Sequence, residues 1–230
     1  MPGENVRLRL AALDIDGTVV DSAGQVSGEL KAVLALLTER GIHTVLCTGR
    51  RWRSAVPVLE ELEHAHPVIV CSGGALVKRA DDGRTLYSEP MGPVAAERAV
   101  GLFRGAGLVP FLLYDRPLDE REVLISASER RCAEKLTYVK ANPEAIGWYE
   151  GEWPAGTGPP LEVYTVDAAE RVQRAAESVR AGMGDEGIVE AMFQQRYGGE
   201  LALEVRSPYA TKWRALERVL RQWDIRPDEV

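Results

Sequence analysis

The chain has 230 residues, 45% of them hydrophobic and 27% charged, with a formal net charge of −7. That length buries a core and suits one large or two modest domains. The acidic balance argues against nucleic acid as a main partner, because a phosphate backbone calls for a basic surface. No apolar run approaches a membrane span, and the N-terminal Met-Pro-Gly-Glu-Asn has no apolar signal region. The three cysteines, Cys47, Cys71 and Cys132, are dispersed and odd in number, so a reduced, cytoplasmic setting is expected.

Leu8, Leu10, Ala11, Ala12 and Leu13 form the first apolar run, which reads as a buried strand stopped by Gly17. Alternation along a strand sends Asp14 and Asp16 to one side and Ile15 to the other. Two adjacent carboxylates at a strand end repel each other and lose hydration, so a cation or a shared proton must compensate. A metal-assisted reaction suits that arrangement, with one Asp attacking and the other moving a proton. The plain alternative is a strand-to-turn junction, where Asp and Gly are ordinary residues.

Ser27 caps an expected helix with Leu30, Val33, Leu34 and Leu37 at helical spacing, and Gly41 ends it. A strand over residues 42–47 follows, then a helix carrying Val56, Leu59 and Leu62, then a strand over 68–71. Cys47 and Cys71 end strand runs and read as small packing residues. Apolar strands alternating with amphipathic helices imply a parallel sheet with right-handed crossovers. In such sheets ligands collect outside the carboxyl ends of the strands, where Asp14, Thr48 and Ser72 all lie.

From about residue 79 the rhythm changes. Asp81-Asp82-Gly83-Arg84 reads as a hairpin turn. A helix over 94–104 precedes strands over 108–114 and 123–127, and the Gly- and Pro-rich stretch 142–160 reads as a long loop. A strand over 161–166 leads to a helix capped by Asp167, with Val172, Ala175, Ala176 and Val179 on one face. Near the C-terminus Lys212 stands in the first turn of a helix with Trp213, Leu216, Val219, Leu220 and Trp223 as its apolar face.

These segments, taken in order, resemble the haloacid dehalogenase (HAD) superfamily of phosphotransferases. Leu13-Asp14-Ile15-Asp16-Gly17-Thr18 resembles its nucleophile motif, and Thr44-Val45-Leu46-Cys47-Thr48-Gly49-Arg50 its second motif. Leu203-Glu204-Val205 followed by Thr211-Lys212 resembles the stretch carrying its lysine. The Thr-Gly-Arg form and the long insert before the lysine are similar to the Cof-type sugar-phosphatase subfamily.

The resemblance implies an α/β fold: a Rossmann-like parallel-sheet core over residues 1–85 and 191–230, interrupted by an α+β cap domain over 86–190. It implies a magnesium-dependent phosphatase that hydrolyses a small phosphorylated metabolite, a sugar phosphate, through an aspartyl-phosphate. Asp14 is then the nucleophile and Asp16 the general acid and base, and both bind Mg2+. Thr48 offers a hydroxyl and the backbone at Gly49 its N–H to the phosphate, while Lys212 supplies fixed positive charge. Arg50, just past the Thr48 strand end, is a candidate contact to substrate or cap. No nucleic acid or membrane partner is expected, and the protein is a monomer or homodimer.

Other polar groups have plainer readings. His64 and His66 flank Ala65 at a helix end, and with only His43 besides they read as surface residues, not a zinc site. Arg130, Arg131, Lys135 and Lys140 read as a solvated basic face.

Three departures from the family pattern stand out. Gly73-Gly74-Ala75 replaces an Asn-Gly-Ala, and Tyr209 and Trp213 stand where glycines are usual around the lysine. A fourth, acidic motif that completes the metal site is expected beyond Val230, on a strand that covers the open edge of the Asp14 strand. Two rivals remain: a non-catalytic phosphate-ligand-binding or regulatory module of the same fold, and a glycosyltransferase using Asp-x-Asp to hold a nucleotide-sugar metal. The latter calls for a nucleotide-binding domain ahead of the motif, where only a short segment lies.

Overall fold

The computed structural model describes residues 7–62, 67–194 and 200–230, with the side chains of Phe193 and Gln194 left aside. It divides into two compact units, one formed by the chain up to Glu89 and from Tyr209 onward, the other by Pro90–Pro208. The second unit thus interrupts the first in sequence.

In the first unit the strands are β1 (Leu10–Leu13), β2 (His43–Cys47), β3 (Val68–Cys71), β4 (Leu76–Arg79) and β5 (Thr85–Ser88), in the order β1-β2-β3-β4-β5. The first three run parallel, and β4 and β5 add an antiparallel hairpin. Helices α1 (Gly28–Glu39) and α2 (Trp52–Glu61) make the crossovers. Ser27 caps α1 as expected, its hydroxyl accepting from the Leu30 N–H at 3.1 Å. Helix α7 (Lys212–Gln222) lays Ala215, Leu216, Val219 and Leu220 on Leu10, Val45, Val68, Val70 and Val77. Alternation sends Leu46 and Ile69 to the other face, where they too are fully buried. Trp213, expected on the apolar face of α7, is exposed, and Ala215 takes its place. Among the described residues β1 stands first in the strand order.

The second unit holds a six-stranded sheet, β10-β11-β9-β6-β7-β8, built from β6 (Phe111–Leu113), β7 (Val123–Ser126), β8 (Ile146–Tyr149), β9 (Glu162–Asp167), β10 (Ile188–Gln194) and β11 (Glu200–Arg206). All pairs are antiparallel except β7–β8. Helices α3 (Pro93–Gly105) and α6 (Ala169–Met183) bury Ala99, Phe103, Val172 and Val179 against Leu112, Val163, Leu203 and Val205. Two short helices, α4 (Arg130–Ala133) and α5 (Thr137–Ala141), complete it.

Three expectations are corrected. Residues 191–194 and 200–206, expected in the second part of the core, belong to the sheet of the second unit through β10 and β11. The expected loop over 142–160 contains β8, which pairs with β7 along its whole length. Asp167 ends β9, and the cap of α6 is Ala168; Asp167 bonds the Ala168 N–H and the Arg171 guanidinium, each at 2.7 Å. Among the described residues no helix is long and apolar enough to cross a membrane. His64 and His66 lie outside the described residues.

Candidate active site

Because β1, β2 and β3 are parallel neighbours, their C-terminal ends share one edge of the sheet, and Asp14, Thr48 and Ser72 are the next residues after them. Past Leu13 the chain coils into a tight turn in which the Ile15 carbonyl accepts from the Val19 and Val20 N–H groups, both at 2.9 Å, with Gly17 at φ 78°. The strand therefore ends before the acids, yet the alternation persists. Ile15 is fully buried, and Asp14 and Asp16 face solvent.

Each acid has its own cation. The Lys212 Nζ donates to Asp14 Oδ2 at 2.7 Å across 198 positions of sequence, while Asp14 Oδ1 accepts from the Ile15 N–H at 2.8 Å. The Arg50 guanidinium forks onto Asp16, Nη2 to Oδ1 at 2.6 Å and Nε to Oδ2 at 3.1 Å. Such a planar two-point pair is the geometry that arginine favours. The Lys212 and Asp14 side chains are 40% and 46% exposed. A pair that open is worth about 0–1 kcal/mol to stability, so its significance lies in position.

Thr48 is buried, and its hydroxyl oxygen accepts from the Arg50 N–H at 3.0 Å. The Thr48 N–H is spent on the Val70 carbonyl at 2.8 Å. Among the described residues this leaves the Thr48 hydroxyl hydrogen and the Gly49 N–H as donors of the turn. Ser72 begins a three-residue turn to Gly74 in a left-handed conformation, φ 49°, that non-glycine residues seldom adopt. Its hydroxyl is buried with no hydrogen-bond partner among the described residues. A strained residue with an orphan polar group at a strand end is typical of functional sites.

The donor chemistry fits magnesium, which is commonly held by one or two carboxylates together with waters and substrate phosphate. Asp14 and Asp16 are the carboxylates available. Among the described residues no group of three or more His, Cys, Asp or Glu is placed to hold a metal. Cys47, beside Asp14 and Lys212, has its thiol pushed up to about 12, chiefly by burial; a neutral thiol is a poor nucleophile, so it packs the core. The His43 ring lies tilted against Trp223, ring centroids 5.0 Å apart. In the second unit Arg130 lies over Trp148 and pairs with Glu134. Tyr209 and Trp213 flank Lys212 as exposed rings, with the Arg214 guanidinium 4.9 Å from the Tyr209 ring centre.

A family model described as haloacid dehalogenase-like hydrolase matches residues 11–230. The chain belongs to that family. The model's span takes in all three motif segments, including Lys212 near its end. The chain is similar to 5-amino-6-(5-phospho-D-ribitylamino)uracil phosphatase YwtE of Bacillus subtilis, 27% identical over 93 residues, 40% of this chain and 31% of that protein. Two other protein relatives are matched over 32% and 25% of their own lengths. Among solved structures, a haloacid dehalogenase-like hydrolase from Bacteroides thetaiotaomicron superposes with TM-score 0.69 at 17% identity, over 95% of this chain and 78% of that one. A HAD subclass IIB sugar phosphatase superposes with TM-score 0.71 at 13% identity, over 95% and 77%. These likenesses establish a HAD fold with its Rossmann-like core and inserted unit.

Gly74 is a site residue that the motifs do not single out. Its signal in the sequence is a glycine pair one residue past the end of β3, and the structure seats the start of α7 against it.

Proposed function

We propose that the chain is a phosphatase that hydrolyses a small phosphorylated metabolite, a sugar or polyol phosphate, through an aspartyl-phosphate on Asp14. One observation carries the reading: a lysine remote in sequence stands 2.7 Å from the first Asp of the Asp-x-Asp pair. In the first step an Asp14 carboxylate oxygen bonds to phosphorus as the bond to the leaving oxygen breaks, and Asp16 gives that oxygen its proton. In the second, Asp16 takes a proton from water, whose oxygen bonds to phosphorus as the bond to Asp14 breaks. The Ile15 N–H and Lys212 orient the attacking carboxylate, and Lys212 offsets charge on the phosphoryl oxygens. The Thr48 hydroxyl and the Gly49 N–H bind those oxygens. Arg50 holds Asp16 and presents its guanidinium to the substrate at the same strand end. Magnesium held by Asp14 and Asp16 supplies further positive charge when bound. The name of the Bacillus relative, a phosphatase of a phosphorylated ribityl compound, supports the polyol phosphate class.

Turnover of p-nitrophenyl phosphate with magnesium, followed by a panel of phosphorylated metabolites, tests this. Asp14→Asn keeps the shape and removes the nucleophile, so activity should fall to background. Wild-type turnover in that variant contradicts the mechanism, and an inert wild type returns the reading to a non-catalytic module.

A further inference from the structure

The Lys212–Asp14 distance depends on where α7 begins, and that start rests on a residue far away in sequence. Gly74 has φ 108°, and a Cβ built on it would clash with the Thr211 carbonyl group and stand 2.7 Å from the Lys212 nitrogen. Only a residue without a side chain lets that peptide seat so deeply. The Thr211 carbonyl is also the acceptor that opens the helix ladder, taking the Ala215 N–H at 3.0 Å. From the other side the Thr211 hydroxyl caps α7, accepting from the Arg214 N–H at 3.2 Å. Displacing the Thr211–Lys212 peptide therefore moves the whole first turn of the helix and the ammonium with it.

The same turn also grips the second cation. The Ser72 N–H donates to the Arg50 carbonyl at 2.8 Å, and the Gly73 N–H to the Thr48 carbonyl at 3.1 Å. Three consecutive residues thus hold the Thr48–Arg50 segment by backbone bonds and receive α7 by close contact. Both cations that face the acid pair are referenced to one short piece of backbone.

We propose that Gly74 is a positioning residue, acting with Thr211 to set the Lys212 ammonium against Asp14. The proposal rests on the phosphatase reading for its effect on turnover, but its geometry can be read without turnover. Gly74→Ala should push the Thr211–Lys212 peptide away. Misplacement by about 1 Å can cost on the order of 100-fold in rate, so a loss of that size in kcat/KM on p-nitrophenyl phosphate is expected. In a Lys212→Ala background the same change should cost nothing more, because its effect passes through Lys212. Thr211→Ala should give a smaller loss, and Thr211→Ser should restore it.

The decisive readout is acetylation of Lys212 in the full chain by a small acylating reagent, followed by peptide mass spectrometry. In the wild type the ammonium is held on Asp14 and should react slowly. Asp14→Asn, Gly74→Ala and Thr211→Ala should each speed it, and Thr211→Ser should not. If Gly74→Ala fails to fold, the Thr211 pair decides alone. Wild-type acetylation in folded Gly74→Ala or in Thr211→Ala overturns the proposal, as does a further loss of turnover when Gly74→Ala is added to Lys212→Ala. An inert wild type that shows the expected acetylation order overturns the phosphatase reading and supports the positioning role.

Discussion

In the first unit Asp14 and Asp16 stand exposed beyond the ends of parallel strands, each with a cation of its own, whereas in the second Glu162 and Glu204 lie buried on neighbouring antiparallel strands. Arg206, buried as well, sits opposite Glu162 in the register. It reaches Glu190 at 2.6 Å and Glu204 at 3.8 Å. Glu204 is pushed well above the usual carboxylate range, by burial first and by the Glu162 charge second. The difference separates two uses of acid pairs. A charge-balanced pair in contact with water can receive a ligand and do chemistry. A pair buried away from water on neighbouring strands takes up a proton instead and sets how the fold responds to pH.

The exposed pair is the place to break activity. Asp16→Ala should lower turnover of a sugar phosphate by about 10²–10⁴-fold, the range of general acid–base catalysis. Its loss on p-nitrophenyl phosphate should be smaller, since that leaving group needs little protonation. Equal losses on both substrates would assign Asp16 to holding the fold or the metal. Lys212→Ala should cost about 10²–10³-fold, as the loss of one preorganised charge partner does. Its melting temperature should hardly move, because so exposed a pair contributes at most about 1 kcal/mol. Thr48→Ala removes one hydrogen bond to a charged oxygen, a loss of about 1.5–3 kcal/mol in transition-state binding, to be read from kcat/KM.

The buried pair gives the smallest effect and sharpens the contrast. The folded state holds a proton on Glu204 at pH values where the unfolded chain has released it. Stability is therefore greatest below the ordinary glutamate range and falls as pH rises from there toward the raised value. Glu204→Gln removes that term, so its melting temperature should exceed the wild type's at neutral pH. The advantage should vanish in mild acid. Thermal unfolding across pH checks it, and a wild-type pH profile in the variant would show that Glu204 does not titrate as described.

The same two regions differ in how far they could be read from sequence. Asp14, Thr48 and Lys212 were legible because each sits at a local boundary: the end of an apolar run, or the first turn of an amphipathic helix. The Ser27 cap was legible for the same reason, since its bond spans a single turn. In the second unit the local signals mislead. Strand β8 hides in a Gly- and Pro-rich stretch, and its Gly147 is there because a Cβ would meet the Leu124 side chain at 2.7 Å. Strand β11 carries Glu204 and Arg206 on a buried face, so hydrophobic alternation gave no hint that it pairs with β9. Gly74 and Thr211, like Arg50 and Asp16, meet only through the tertiary fold, and spacing along the chain holds no record of such contacts.

The proposed mechanism puts the phosphoryl group on Asp14 during turnover. Its most direct test is rapid acid quenching of the protein during turnover of p-nitrophenyl phosphate with magnesium, with the Asp14 peptide then weighed by mass spectrometry. One added phosphoryl group is expected on that peptide, mapped to Asp14 and absent from Asp14→Asn. Turnover that persists with the group elsewhere, or that survives Asp14→Asn, contradicts it.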